Sequence, residues 1–239
     1  HRAYGRRAGH VIALAFSGGK DSMACLHLMR EQLDCAIYVD TGYAYPETEI
    51  LVAYASTIVP VHRVMADRNG QNEREGIPSE IVPIDWTRSG QLVAGAKPVM
   101  IQSYLGCCWD NISWPLIARA KELGVTTLVV GQRQEDARKA PVGMVSTIEG
   151  MERLQPINDW STADVLAYLA TKMEIPPHYA LKHSSLDCYD CPAYRLSTMD
   201  RVEWTRLNYP YFHAEREARR VVVDAALREA WDKEYACHE

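Results

Sequence analysis

A glycine-rich turn between an apolar run and a helical pattern constrains the fold of this chain more than any other feature. Residues 10–16 are HVIALAF, a continuous apolar run with β-branched members that is typical of a buried strand. Residues 17–22 are SGGKDS, and the residues after them place apolar side chains at helical spacing. Glycines let backbone N–H groups approach a ligand closely, and the first turn of a helix adds unpaired donors and the positive end of its dipole. The stretch predicts an anion site suited to phosphate, with a plain strand-to-helix connection as the alternative.

The side chains of this turn also suit phosphate. Lys20 adds a positive charge, and the hydroxyl groups of Ser17 and Ser22 add hydrogen-bond donors. The spacing is not that of the common triphosphate loop, GxxxxGK[ST]. All six positions instead resemble the SGGxDS signature of the PP-loop ATP pyrophosphatases, also called adenine nucleotide alpha hydrolases. The resemblance implies that residues 17–22, which we call the SGGKDS loop, hold the β- and γ-phosphates of ATP.

Strand and helix patterns alternate along the rest of the chain. Further buried strands are predicted at residues 35–42, 59–66 and 126–133, and helices at residues 46–57, at 114–123 and after the N-cap Ser161. Residues 67–83 are polar and contain glycine and proline, so they predict an inserted loop. The alternation predicts an α/β fold with a three-layer, doubly wound, mainly parallel sheet, like that of the adenine nucleotide alpha hydrolases, and a helical C-terminal extension.

Three polar segments follow predicted strands. Ligands of parallel sheets bind outside the carboxyl ends of the strands, so one edge of the sheet can hold the SGGKDS loop, Asp40 and residues 131–138. We expect Asp40 to contact magnesium or ribose, with a helix or turn cap as the alternative. We expect Arg133 and Arg138 to contact phosphate, with a solvated surface position as the alternative for Arg138.

Four of the seven cysteines form two close pairs. Cys107 and Cys108 are adjacent, and Cys188 and Cys191 form a CxxC. Neighbouring Cα atoms lie ~3.8 Å apart, and a CxxC turn directs two thiolates to one centre, so the four thiolates suit either zinc or an iron–sulfur cluster. The alternative is two unrelated pairs of buried thiols. Because the sequence shows no secretory signal, its cysteines also predict a reducing, cytoplasmic compartment.

Longer motifs resemble the phosphoadenosine phosphosulfate (PAPS) reductase family, within the PP-loop superfamily. The resemblance covers residues 10–195 and rests on the SGGKDS loop and on three stretches, VDTGYAYPET from Val39, GQRQEDARKAP from Gly131 and LQPINDWSTADVLAYL from Leu154. The cysteine pairs resemble the CC…CxxC set that binds a 4Fe–4S cluster in the adenylyl-sulfate reductase branch. The resemblance implies a cluster held by all four cysteines, with zinc if no cluster is bound. The expected domains are then residues 1–195, for nucleotide and cluster, and a helical extension at residues 196–239.

Three departures from the sulfonucleotide reductases favour ATP. Those reductases have a worn PP-loop because their substrate carries no pyrophosphate, whereas the SGGKDS loop is intact. Their Cys-Cys pair is followed by an Arg-Lys pair that counters cluster charge, whereas Trp109 and Asp110 follow here. Their nucleophilic cysteine lies in a C-terminal ECGLH, whereas YACHE surrounds Cys237. Cys237 therefore has two interpretations, a degenerate nucleophile or a terminal thiol without a catalytic role.

Family members that keep ATP resemble thiolation enzymes, so the resemblance implies an ATP pyrophosphatase-type sulfurtransferase. Such an enzyme cleaves ATP to AMP and pyrophosphate by adenylating an acceptor, which makes an oxygen displaceable by sulfur. The implied cofactors are the 4Fe–4S cluster and ATP with Mg²⁺. The implied partners are a sulfur donor such as a cysteine desulfurase and a nucleic-acid acceptor. Two alternatives stay open: a sulfonucleotide reductase that acts on PAPS or adenylyl sulfate, and a non-catalytic nucleotide-binding module.

The resemblance assigns site residues in three groups. The catalytic residues are Lys20, Asp21, Arg133 and Cys237. The nucleotide-binding residues are Ser17, Gly18, Gly19, Lys20, Asp21, Ser22, Asp40, Gly131, Arg133 and Arg138. The metal ligands are Cys107, Cys108, Cys188 and Cys191.

Charge and hydropathy limit the classes of partner that we expect for this chain. The net charge of −5 argues against general polyanion binding, although a local basic groove stays open. No apolar run approaches the ~20 residues that span a bilayer, so we expect no membrane partner.

Overall fold

The computed structural model describes residues 9–135, 145–181, 185–193 and 199–235. The strands in these residues are β1 Ile12–Phe16, β2 Cys35–Asp40, β3 Val61–Met65, β4 Ile77–Ser79, β5 Ile101–Ser103, β6 Thr127–Val129, β7 Val145–Ile148 and β8 Met151–Leu154. The α-helices in these residues are α1 Lys20–Met29, α2 Pro46–Ser56, α3 Arg68–Glu75, α4 Arg88–Ala94, α5 Tyr104–Cys108, α6 Trp114–Glu122, α7 Thr162–Ala170, α8 Met199–Asn208 and α9 Pro210–Tyr235.

Six strands form one mainly parallel sheet in the order β3-β2-β1-β6-β8-β7. All neighbouring strands in it pair in parallel except β7 and β8, which form an antiparallel hairpin. Side chains alternate between the two faces of a strand. In β1, Ile12 and Leu14 therefore join a core with α1, α2 and α7, while Ala13 joins a core with α6 on the other face. Helices cover both faces, which confirms the predicted three-layer α/β fold, and α9 confirms the helical C-terminal extension.

All four strands predicted from apolar runs are shorter in the structure than predicted, as β1 and β6 illustrate. β1 begins at Ile12, and the His10 ring before it lies against the hydroxyls of Thr126 and Thr127, at 2.8 and 3.0 Å. β6 ends at Val129, and Gln134 N–H donates to the Asn158 carbonyl at 2.8 Å instead of continuing a ladder. The two strands at the centre of the sheet are therefore shorter than the sequence predicts.

The prediction of an inserted loop at residues 67–83 is wrong, because this segment contains a helix and a strand. The Asp67 carboxylate caps α3 by accepting the Gly70 N–H at 3.2 Å, and β4 then pairs in parallel with β5. The sequence also gave no sign of the β7–β8 hairpin. Its two-residue turn has Glu149 at φ 50° and Gly150 at φ 83°, the left-handed conformations that a type I′ turn needs.

Contacts divide the chain into two compact units. The first contains the six-stranded sheet with α1, α2, α6 and α7, and the second contains β4, β5, α3, α4, α5, α8 and α9. In the second unit α9 packs Val223 and Ala226 against Trp86 and Ile101. The domain boundary expected at residue 195 stays a prediction. No helix in the described ranges combines the length and the apolar character that crossing a membrane requires.

Candidate functional site

Three segments of the first unit end at the same edge of the sheet. The SGGKDS loop follows β1, Asp40 ends β2, and Gly131 comes two residues after β6. Because β2, β1 and β6 are adjacent and parallel, their carboxyl ends lie side by side. The structure thus brings together the described residues to which the sequence assigned nucleotide binding.

The SGGKDS loop is held by its own hydroxyl groups and by one tyrosine. The Ser22 hydroxyl donates to the Gly19 carbonyl at 2.9 Å and accepts the Ser17 N–H at 3.3 Å. The Tyr179 hydroxyl donates to the Gly18 carbonyl at 2.8 Å. Helix α1 begins directly after Gly19, so the loop leads into the N–H donors of a helix N-terminus.

Two buried cations meet at one carboxylate in the first turn of α1. Lys20 Nζ lies 3.2 Å from Asp21 Oδ2, and Arg133 Nε lies 2.8 Å from Asp21 Oδ1. Lys20 and Arg133 are 3% and 1% exposed, so their charges are little screened by water. A phosphate at this loop would meet two positive charges that are already in place.

Glu135 fixes the second of these cations to another helix. Arg133 Nη1 donates to Glu135 Oε2 at 2.6 Å, and the same oxygen accepts the Thr162 N–H at the start of α7 at 3.1 Å. The hydrogen bond from Arg133 lowers the pKa of Glu135 below its usual value. Sequence reasoning missed this role, although Glu135 lies in the GQRQED motif.

Gly131 brings the end of β6 against the loop. A Cβ at this position would lie 2.7 Å from the Asp21 carbonyl carbon and 2.8 Å from the Ser22 nitrogen. Both are backbone atoms that cannot move aside easily, so the approach requires glycine.

Asp40 lies in an ion-pair network on neighbouring strands. Arg63 Nη1 of β3 lies 2.6 Å from Asp40 Oδ2 and donates to Glu49 Oε1 of α2 at 3.1 Å. Arg63 was not predicted as a site residue. Its position near the carboxyl end of a strand was the available signal.

The four predicted metal ligands all belong to the second unit, and we call them the cysteine site: Cys107, Cys108, Cys188 and Cys191. Cys107 is buried at the end of α5, and its Sγ lies 3.6 Å from Asn72 Oδ1. Cys188 has φ 48°, its Sγ lies 3.4 Å from Thr41 Oγ1, and its carbonyl accepts the Cys191 N–H at 3.0 Å. The CxxC therefore forms a tight turn.

Two arginines hold the residue inside that turn. Asp190 is 3% exposed, and its Oδ1 lies 2.7 Å from Arg68 Nη2 of α3 while its Oδ2 lies 3.2 Å from Arg219 Nη1 of α9. The Arg68 guanidinium also lies over the Tyr43 ring, 4.2 Å from its centroid. No motif in the sequence predicted this arrangement.

These arginines act electrostatically on the cysteine site. Burial raises the pKa of the Cys107 thiol, and the positive charge of Arg68 opposes that rise. Burial alone would lower the pKa of Arg68, but the negative charges of Cys188 and Asp190 outweigh it, so that pKa lies above its ordinary value. The surroundings of the thiols are therefore positively charged.

This donor set fits a negatively charged, thiolate-ligated group, because thiolates need positive surroundings when they are buried. Among residues 9–135, 145–181, 185–193 and 199–235, no three His, Cys, Asp or Glu side chains are grouped as the donors of one metal ion. In a four-iron cluster each cysteine binds its own iron, so the ligands stand further apart than the donors of a single ion. The cluster stays a prediction.

Two predicted site residues lie outside the described residues: Arg138 and Cys237. Their expected roles stay predictions.

Comparison with known proteins gives one family and several distant structures. The phosphoadenosine phosphosulfate reductase domain matches residues 11–194. The phosphoadenylyl-sulfate (PAPS) reductase of Candida auris, in a phosphate complex, is 15% identical with a TM-score of 0.45, and the match covers 67% of this chain and 71% of that chain. A predicted subunit of tRNA methyltransferase from Methanocaldococcus jannaschii is 16% identical with a TM-score of 0.40, covering 70% of this chain and 76% of that chain.

The yeast FAD synthetase Fad1, in complex with FAD, is 14% identical with a TM-score of 0.41, and the match covers 70% of this chain and 51% of that chain. The chain thus spans about half the length of that enzyme. No curated protein matches the sequence. The family match covers most of the chain and contains the SGGKDS loop, Arg133 and the cysteine site, so the chain belongs to the phosphoadenosine phosphosulfate reductase domain family.

Proposed function

We propose that this chain binds ATP with Mg²⁺ and cleaves it to AMP and pyrophosphate by adenylating an acceptor, which sulfur then attacks. One observation carries the proposal. Lys20 and Arg133, both buried, meet at Asp21, which lies within the SGGKDS loop and in the first turn of α1. Two fixed cations beside helix N–H donors suit a leaving group as highly charged as pyrophosphate.

The proposed chemistry follows from where charge develops. An acceptor oxygen attacks the α-phosphorus, and the bond from that phosphorus to the pyrophosphate oxygen breaks. The electron pair stays on pyrophosphate, where Lys20, Arg133 and the loop N–H groups stabilise it. Asp21 and Asp40, which are ion-paired at this edge of the sheet, are the carboxylates that we propose to help hold Mg²⁺.

The second step would use the adenylated acceptor. A sulfur nucleophile displaces the activated oxygen, which leaves with AMP. We propose a sulfur donor such as a cysteine desulfurase and nucleic acid as the acceptor. In the second unit the four cysteines of the cysteine site would each hold one iron of a 4Fe–4S cluster, which when bound supplies a negatively charged, redox-active group.

Changing Lys20 to Met tests the nucleotide site. Methionine keeps most of the buried aliphatic stem and removes the charge. Loss of a charge-assisted phosphate contact costs about 1.5–3 kcal/mol, so ATP affinity measured by calorimetry should fall roughly tenfold to a hundredfold. The matched control is Lys121→Met on α6, where the lysine pairs with Glu149 and lies 44% exposed. Unchanged ATP affinity in Lys20→Met would contradict the nucleotide site.

The family match supports a second candidate, a sulfonucleotide reductase that releases sulfite from PAPS or adenylyl sulfate. In that reaction a cysteine thiolate attacks the sulfonate sulfur, and Cys237 would be the nucleophile. The two candidates differ in product, since one releases pyrophosphate from ATP and the other releases sulfite.

A further inference from the structure

Two arginines next to the CxxC of the cysteine site share one carboxylate. Arg68 is 1% exposed and Arg219 has a side chain 25% exposed, yet both share a single buried carboxylate, Asp190. Burying an unpaired charge is costly, so a second negative charge is needed nearby. Asp190 lies between Cys188 and Cys191 in the chain, so the thiolates of the CxxC are placed to supply it.

The same arginines carry donors without acceptors. Arg68 Nε and Arg219 Nε and Nη2 are buried, and none of them has a hydrogen-bond acceptor among the described residues. Buried N–H groups are nearly always bonded, so such donors indicate an acceptor other than the residues that the structure describes. Inorganic sulfide and cysteine sulfur of a cluster accept N–H hydrogen bonds.

We propose that Arg68 and Arg219, clamped by Asp190, are positioning residues that supply the positive charge and N–H donors for an iron–sulfur cluster at the cysteine site. The inference rests on the cluster in the proposed function. It also accounts for Trp109 and Asp110 after the cysteine pair, because the compensating charge comes from α3 and α9 instead. Asp190 lies inside the CxxC, so the clamp orients that turn.

The reduction potential of the cluster gives a test that a merely structural role would not pass. Reduction adds a negative charge, so nearby positive charge raises the potential and its removal lowers it. In protein reconstituted anaerobically with ferrous iron and sulfide, Arg219→Gln should therefore have a more negative potential than the wild type. Asp190→Asn removes a negative charge with little change of shape and should shift the potential the opposite way.

Two further variants complete the design. Arg219→Lys keeps the charge and should stay close to the wild-type potential, and the exposed Arg228→Gln on the same helix should also leave it unchanged. If Arg219→Gln does not fold, the sign of the Asp190→Asn shift decides.

Equal potentials in all variants, or shifts of the same sign in Arg219→Gln and Asp190→Asn, would overturn the inference. So would a colourless wild-type protein that takes up no cluster or binds one zinc. Those results leave pyrophosphate release from ATP as the separate test of the proposed function.

Discussion

At the scale of single residues, the predicted nucleotide site depends on a glycine, Gly131. Gly131 follows β6 and lies against the backbone of Asp21 and Ser22, so the start of α1 and the end of β6 touch without a side chain between them. This contact places Arg133, two residues further on, beside Asp21. The position of Arg133 is therefore set by a glycine two residues before it in the same segment.

Gly131→Ala should shift the loop and weaken nucleotide binding. The added Cβ would lie 2.7 Å from the Asp21 carbonyl carbon, so the backbone must move. We expect a loss of about 1–3 kcal/mol in the free energy of unfolding and a fall in ATP affinity of roughly tenfold or more. Calorimetry and urea denaturation measure the two effects.

Gly106→Ala on α5 is the matched control, because a Cβ there meets no atom within 4 Å. Its ATP affinity should equal that of the wild type. Equal affinities in Gly131→Ala and the wild type would show that the approach of β6 does not position the loop.

Local motifs revealed some of these residues and not others. The SGGKDS loop and Arg133 were predictable because their residues are contiguous with recognisable motifs. Arg68 and Asp190 were not, because their contact joins positions 122 residues apart and only tertiary structure brings them together. Arg219 was equally hidden, since an arginine on an amphipathic helix usually faces solvent.

At the scale of elements, α7 shows how a short signal fixes a helix near the site. The Ser161 hydroxyl accepts the Asp164 N–H at 3.1 Å, and the Asp164 carboxylate accepts the Ser161 N–H at 2.8 Å, so the predicted N-cap Ser161 forms a capping box with Asp164. Glu135 adds an acceptor for the Thr162 N–H at the same end. The start of α7 is therefore tied to Arg133 and the loop.

Ser161→Ala should lower the free energy of unfolding by about 1 kcal/mol at neutral pH, the usual loss for an N-cap. In the wild type, hydrogen bonds from the Ser161 side chain and backbone lower the pKa of Asp164. A carboxyl group whose pKa is lower in the folded protein than in the unfolded protein stabilises the fold at pH values above its unfolded pKa. That stabilisation is lost as the pH falls through its folded pKa. The difference between Ser161→Ala and the wild type should therefore shrink in acid.

Urea denaturation across the acidic range measures that difference. Thr171→Ala, at the other end of α7, should have little effect because its hydroxyl only donates back to the Tyr168 carbonyl. A loss in Thr171→Ala as large as that in Ser161→Ala would contradict a specific role of the cap.

Strong patterns gave the elements correctly, and weak ones did not. Long apolar runs predicted β1 and β2, because a strand buried on both faces needs apolar side chains throughout. α3 was missed because RNGQNERE has no apolar stripe and contains a glycine, so its stability comes from its cap and from tertiary contacts. The β7–β8 hairpin was missed because its turn begins with Glu149, a residue that seldom adopts positive φ.

At the scale of the whole molecule, alternation of strands and helices was enough to predict the sheet but not the grouping of the remaining elements. The second unit depends on the pairing of β4 with β5 and on α9 packing, which join segments far apart in sequence. Its cysteine site and the nucleotide site of the first unit are the two parts of the proposed reaction. The proposed reaction requires that the nucleotide consumed is ATP.

Product analysis tests that claim most directly. Anaerobic protein is incubated with Mg²⁺ and ATP, adenylyl sulfate or PAPS, with bulk tRNA or double-stranded DNA as acceptor, and pyrophosphate and sulfite are both measured. We predict pyrophosphate from ATP, retained in Cys237→Ser and lost in Lys20→Met, and no sulfite from either sulfonucleotide. The contradicting result is sulfite release from a sulfonucleotide that is lost in Cys237→Ser, together with no pyrophosphate from ATP. That result would identify a sulfonucleotide reductase.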